Sequence, residues 1–306
     1  MPGTPAPLGK KRGSGYTVPV FEWAINDRRF HIREAGTEED YRAIEEIQKE
    51  AWGFSDLDVV PMATLVATVH AGGIALCAFE GERMIGFAYG FPALEQGRPS
   101  IHSHMLAVRN DCRNLQAGFY LKIAQRDLAL GKGIDMISWT FDPLQSLNAH
   151  LNFNKLGVIS RRYIVNFYGE SSSSPLHQGF GTDRLWVSWL LESDRVKKQT
   201  AGRGFQNPET ERELEPESPS VPLLVRAEGD TPSLSDFKEH LSGKSCFIEI
   251  PHNINILKDR DPSTGRAWRE ATRAAFRAAL EQGFLVENLL KLEQSPAPRW
   301  FYVLTR

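Results

Sequence analysis

Between residues 30 and 191 short β-type runs alternate with helix-period segments, and this alternation limits the fold more than any other feature of the chain. Residues 30–34 read as a first short strand. Thr37 then opens a helix with Asp40 three residues on, the capping-box spacing with Asp in place of the usual Glu or Gln. Tyr41, Ile44, Ile47 and Ala51 follow at helical spacing and predict its buried stripe. A second helix over 62–70 ends at the pair Gly72 and Gly73. Residues 74–79 and 84–91 read as strands around a hairpin turn, and 101–108 as another strand. A helix over 116–130 carries Phe119, Ile123 and Leu130 on one side, with Leu121, Ala124 and Leu128 beside them. Gly131 and Gly133 close it, and a strand over 134–141 follows. Residues 144–156 form the next expected helix, ended by Gly157, before strands at 158–168 and 184–191. The order βααβββαβαββ predicts an α/β domain with a mixed sheet.

With 306 residues the chain has room for two domains, and 41% hydrophobic residues supply a substantial core. The polar stretch 192–222, with Pro208, Pro216, Pro219 and Pro222, reads as a mobile, protease-sensitive linker. Beyond it a smaller α/β unit is expected over 223–306, with a strand at 246–250, a helix over 266–282 and strands near 284–292 and 300–304. Its strand–helix–Gly–strand order loosely echoes 101–141. At the other end, residues 1–29 read as a flexible extension, with Lys10, Lys11 and Arg12 followed by no apolar segment of signal-peptide type. A formal net charge of −2 leaves no global field to attract nucleic acid or an anionic membrane. No apolar run approaches the ~20 residues that span a bilayer. Cys77, Cys112 and Cys246 are widely spaced and form no CxxC, so reduced thiols in a cytoplasmic protein are expected, with neither a disulfide framework nor a metal.

The chemistry concentrates in residues 101–118, where a strand turns directly into a helix. Such a start leaves several main-chain N–H groups unpaired at the positive end of the helix, a ready site for a pyrophosphate. Ala117 and Gly118 let a phosphate approach the backbone, and Arg113 adds a charge beside it. His102 and His104 stand two apart on the strand, hence on one face. An imidazole titrates near neutrality and can take the proton an amine must lose before attack. The same pair could instead be hydrogen-bonded core histidines or ligands of a metal.

This segment resembles motif A of the GNAT acyltransferases, R/Q-x-x-G-x-G/A after a strand ending in Val. Arg113 and Gly118 match it, and Gln116 stands at the first glycine. The resemblance implies a GNAT-like mixed central sheet flanked by helices over 30–191, with the C-terminal α/β unit added. It implies acetyl-CoA or succinyl-CoA as acyl donor, held along Leu106 and Val108 and by the turn through Arg113, Asn114, Gln116, Ala117 and Gly118. A non-glycine at 116 can serve there with a negative φ. Residues 149–157 resemble the family's A-x-x-x-Y-x-K-x-G-F element through Ala149, Lys155 and Gly157, with Phe153 in place of the tyrosine and Val158 in place of the last phenylalanine. His102, His104, Leu106 and Val108 are similar to the H-x-H-x-L-x-V strand of the serotonin N-acetyltransferases, which implies that the two histidines relay the amine's proton through water. Phenylalanine cannot protonate a departing thiolate. Tyr163, Tyr168 or a water would do so, or the thiolate leaves unaided, its conjugate thiol having a pKa of ~8.5.

Residues 139–149 and 163–169 resemble a bacterial GNAT group encoded beside N-acylamino acid racemases, and Ile250-Pro251 and Trp268-Arg269 extend the likeness. It implies an amino acid or other small amine as acceptor. Asn148 and Asn166 would lie on the acceptor side, and Arg184, Arg161 or Arg162 would pair with a carboxylate. The reaction implied is transfer of an acetyl or succinyl group to that amine. The competing expectation is a non-catalytic acyl-CoA-binding module. The C-terminal unit carries no phosphate turn, which leaves it substrate closure or an oligomer contact such as a homodimer.

Overall fold

The computed structural model describes residues 21–169, 180–201, 222–293 and 297–306. Two compact units divide them, one ending at Trp139 and the other beginning at Thr140.

The first unit opens with β1 (Phe21–Ile25) and β2 (Arg28–Glu34), an antiparallel hairpin turning at Asn26 and Asp27, both with positive φ. Asn and Asp tolerate that conformation better than other side chains. Residues 21–29, expected within a flexible extension, thus belong to this hairpin; residues 1–20 lie outside the described residues. Trp23 explains the difference, because its indole is buried and stacks on Phe30. Next come α1 (Glu38–Trp52) and α2 (Met62–His70). The capping box forms at Thr37 as expected, with Asp40 also paired to Arg33. After β3 (Ile74–Glu80), β4 (Arg83–Glu95) and β5 (Arg98–Val108) come α3 (Ala117–Gly131) and β6 (Met136–Phe141). The strands lie in the order β1-β2-β3-β4-β5-β6, antiparallel until β5 meets β6 in parallel. Ile44, Ile47 and Leu65 of α1 and α2 pack with Phe87, Tyr89 and Met105 on one sheet face. Gly90 and Ser103, paired with each other, point to the opposite face and meet α3.

The second unit begins with α4 (Ser146–Ala149), which runs on as a π-helix over His150–Leu156. It continues through β7 (Ile159–Ile164), β8 (Arg184–Leu190), α5 (Asp194–Thr200), β9 (Leu223–Glu228), β10 (Thr231–Leu234) and α6 (Phe237–His240). Then follow β11 (Ser245–Ile250), α7 (Ile254–Arg260), α8 (Pro262–Glu281), β12 (Leu285–Leu292) and β13 (Arg299–Thr305). Its strand order is β8-β7-β12-β13-β11-β9-β10. The hairpin β7–β8, expected to close the first domain, thus shares a sheet with the C-terminal strands, β7 meeting β12 at Ser160↔Val286. Asn154 Nδ2 donates to the Leu289 carbonyl at 2.7 Å, and the Tyr302 hydroxyl donates to Pro143 at 2.7 Å. A free strand edge takes whichever strand covers it, and composition carries no mark of that choice. The first part of the expected linker is helical instead, Ser193 capping α5 within it. Residues 202–221 lie outside the described residues. Among the described residues no helix is long and apolar enough to cross a membrane.

Candidate active site

β4 and β5 pair through Tyr89↔Met105 and resume at Gly90↔Ser103, which leaves His104 as an extra residue on β5. This bulge re-aims the side chains beside it. The imidazoles of His102 and His104 come within 6.4 Å, centroid to centroid, on the sheet face that carries Tyr89 and Phe91. Phe91 touches both, at 5.2 Å from His102 and 5.5 Å from His104. The Tyr89 hydroxyl shares a 2.8 Å hydrogen bond with Thr68 of α2. His102 Nδ1 lies 3.2 Å from the Ser138 hydroxyl on β6, a contact that orients the ring. Gly90 makes the bulge sterically feasible, since a Cβ there would come within 2.9 Å of the His102 carbonyl.

Burial, with smaller contributions from His104 and Lys122, pushes His102 down to about 4. Burial also lowers His104. Both rings are therefore neutral at neutral pH and free of a proton they would first have to shed. His102 is almost fully covered and His104 only half-buried, so His104 is the ring a substrate can reach.

Parallel pairing of β5 with β6 covers Ile101↔Ile137 and His102↔Ser138 and goes no further. Beyond the histidines β5 ends, the chain makes a 3-10 turn over Asn110–Cys112, and α3 begins. Asn114 and Gln116 both adopt positive φ, 70° and 57°. Gln116 does not take the negative φ with which a non-glycine could serve there: the turn keeps the left-handed shape that suits glycine, at a cost of about 1–2 kcal/mol for a side-chain-bearing residue. No side chain caps α3. Trp23 braces the turn by donating its indole N–H to the Leu115 carbonyl at 3.1 Å. Gly118 sits in the first helical turn, where an added Cβ would meet only Leu106 Cδ2 at 3.8 Å and Val108 Cγ2 at 4.0 Å. Packing does not require glycine there, and alanine would favour the helix by about 1 kcal/mol. What glycine provides is a bare backbone. With Arg113 exposed beside it, the helix start suits a phosphate-bearing ligand such as coenzyme A.

The other expected site residues lie in the second unit. Tyr163 donates its hydroxyl to Asp183 Oδ2 at 2.7 Å and stacks on Phe276. Burial and the Asp183 carboxylate hold that phenol well above its ordinary value. Arg273 grips the same carboxylate at 2.7 and 2.9 Å, and the Asn166 main-chain N–H donates to it at 3.0 Å. Arg184 is buried and donates to the Asp183 carbonyl at 2.9 Å. Tyr163, Asn166 and Arg184 therefore gather around Asp183, while Asn148 is exposed on α4 and apart from them. Arg161 is exposed, and Arg162 lies over the Trp186 ring at 4.5 Å. Phe153 is fully buried between Phe141 and Tyr302. Tyr89, Phe91 and Ser138 escaped the sequence reading. Only the alternation of Tyr89 and Phe91 along their strand could have flagged them as sharing a face. Among the described residues no group of three or more His, Cys, Asp or Glu is placed to hold a metal.

The mixed sheet with its flanking helices, strand order and added C-terminal α/β unit is a GNAT-like architecture. No family model matches the sequence, and no curated protein matches it. Among solved structures the chain is similar to the ribosomal-protein-S18-alanine N-acetyltransferase from Escherichia coli, at 15% identity over 54% of this chain and 95% of that one, with a TM-score of 0.43. It is similar also to a GNAT family acetyltransferase from Elizabethkingia anophelis with acetyl-CoA bound, at 18% identity over 53% of this chain and 96% of that one, TM-score 0.40. Likenesses this distant leave the functional argument to the residues themselves.

Proposed function

We propose that this protein is an acyl-coenzyme A-dependent N-acyltransferase that moves an acetyl or succinyl group to the amine of an amino acid or another small molecule. The observation that carries this reading is the meeting of two neutral imidazoles on the β5 bulge, on the strand that leads into an uncapped helix start. Ala117 and Gly118 offer main-chain N–H groups, and Arg113 a cation, to a pyrophosphate, with Leu106 and Val108 alongside. Acyl-coenzyme A would supply the thioester carbonyl. An amine is largely protonated at neutral pH and must lose a proton before its nitrogen can attack. His104, the more accessible ring, accepts that proton directly or through one water. His102, oriented by Ser138, stands behind it. Phe153 has no hydroxyl and that of Tyr163 is engaged by Asp183, which leaves Tyr168, a water or unassisted departure, the last permitted by a conjugate-acid pKa of ~8.5.

The phenylalanine at 153 and the engaged hydroxyl of Tyr163 favour the second reading, a module that binds acyl-coenzyme A without turnover. Melting temperatures with coenzyme A, acetyl-CoA and succinyl-CoA read binding, because only ligands that prefer the folded state raise stability. Thiol release with a panel of amines and free amino acids reads transfer. Binding with release establishes the transferase, and release with free amino acids alone selects the acceptor class of the group encoded beside N-acylamino acid racemases. Binding without release for any acceptor selects the binding module. No shift with any of the three ligands removes both readings.

A further inference from the structure

Behind β5, on its α3 side, Lys122 is 2% exposed. Its Nζ donates to the Ser103 hydroxyl at 2.7 Å and to Gln125 Oε1 at 3.5 Å, and lies 3.7 Å from the Trp139 ring centroid. Among the described residues no carboxylate is paired with it. On this side Gln125 Nε2 is also buried, with no hydrogen-bond partner among the described residues. Burial drives the lysine well below its ordinary range. Methionine would fill the same space without desolvating an amine, so packing alone does not account for a lysine here. What the amine holds is Ser103, the residue between His102 and His104 and the last one paired before the bulge.

We infer that Lys122 is a positioning residue for the histidine pair: by holding Ser103 from behind, it fixes the bulge that turns both imidazoles toward the opposite face of β5. Its consequence for turnover rests on the acyltransferase reading; its effect on the imidazoles does not. Among the described residues, His104 on its own strand and Lys122 on α3 lower His102. β6 presents Ser138 to it, and β4 presents Phe91 and, beside His104, Tyr89, whose hydroxyl is bonded to Thr68 of α2. Lys122 lowers His102, so removing the amine releases part of that depression.

The test uses the full chain with Lys122→Met and, separately, Ser103→Ala. NMR titration of the imidazole C–H signals reads both rings with no substrate present. Lys122→Met should displace both imidazole signals and raise the His102 midpoint. The acid limb of kcat/KM should move the same way, and kcat should fall ~10-fold with coenzyme A affinity unchanged. Ser103→Ala cuts the bond to the strand but keeps the amine. It should displace both imidazole signals and lower kcat similarly while leaving the His102 midpoint near wild type. Imidazole signals at their wild-type positions in Lys122→Met overturn the proposal, even if the melting temperature drops. Should Lys122→Met fail to fold, unchanged imidazole signals in Ser103→Ala overturn it equally. A wild-type protein that transfers no acyl group sinks the acyltransferase reading alone, and the titration still decides the role of Lys122.

Discussion

Two helices of the molecule, α3 and α8, have first turns built in opposite ways: α3 is entered from β5 through a turn, and α8 from α7 through the single residue Asp261. α8 is closed by its own side chains. Asp261 accepts from the Ser263 N–H at 2.9 Å, from the Ser263 hydroxyl at 2.7 Å and from the Thr264 hydroxyl at 2.6 Å, and Pro262 takes the position where an N–H would be wasted. Those hydrogen bonds pull Asp261 down to about 2. α3 has no cap, two strained residues in its turn and a glycine its packing does not need. A helix start that satisfies itself gains stability and has nothing left for a ligand. One that stays open gives up stability and keeps its N–H groups available.

Gly118→Asp gives the largest contrast: it sets a carboxylate against the site of the phosphates and should abolish coenzyme A binding by calorimetry. Gly118→Ala separates the two roles of the position, raising stability by about 1 kcal/mol while weakening coenzyme A binding. Equal affinity in both variants would mean that the open start of α3 is not the ligand site. Replacing His102 and His104 together by Gln should lower kcat/KM by ~10²–10⁴-fold, with a smaller loss at high pH where the acceptor arrives deprotonated. Coenzyme A affinity should hardly change. A loss independent of pH would reduce the pair to packing.

Acid sharpens the comparison between the units, since each buries one strongly shifted histidine. His102 in the first and His150 in the second are both held down to about 4 by burial, against about 6.5 for a free imidazole. Between those values the unfolded chain binds more protons than the folded one. Stability is therefore complete above about pH 6.5 and falls as the pH drops toward 4. His102→Gln and His150→Gln should each flatten part of that fall in melts across the range; two curves parallel to wild type would contradict the burial. Smaller effects belong to the helix starts. Asp261→Ala should lower the melting temperature by a few degrees with no effect on coenzyme A binding. Gln116→Gly should raise stability by about 1 kcal/mol, because it removes the left-handed strain and keeps the turn.

The first unit was largely legible in the sequence because its signals are local. Thr37 and Asp40 are three residues apart and form the capping box. Residues 101–118 are contiguous, so the strand, the turn, the open helix start and both histidines could be read together. Even here two contacts made between distant segments stayed hidden. Trp23 braces the turn from a hairpin that read as a tail, and Lys122 reaches Ser103 across the packing of α3 on the sheet. In the second unit the tyrosine, asparagine and arginine chosen as site residues proved to surround Asp183, whose claim on Tyr163 no spacing advertises.

By itself the sequence determined the succession of elements, the helix caps and the strand-to-helix passage that presents His102, His104 and Gly118. These depend on periodicity and on interactions spanning three or four residues, which are written consecutively in the chain. Only the tertiary structure decided that a bulge at His104 brings the two imidazoles together, that Gln116 adopts a glycine's conformation, and that β7 pairs with β12. Each of those outcomes is set by how segments remote in sequence cover one another's edges and faces, and edge coverage leaves no periodic trace in either partner.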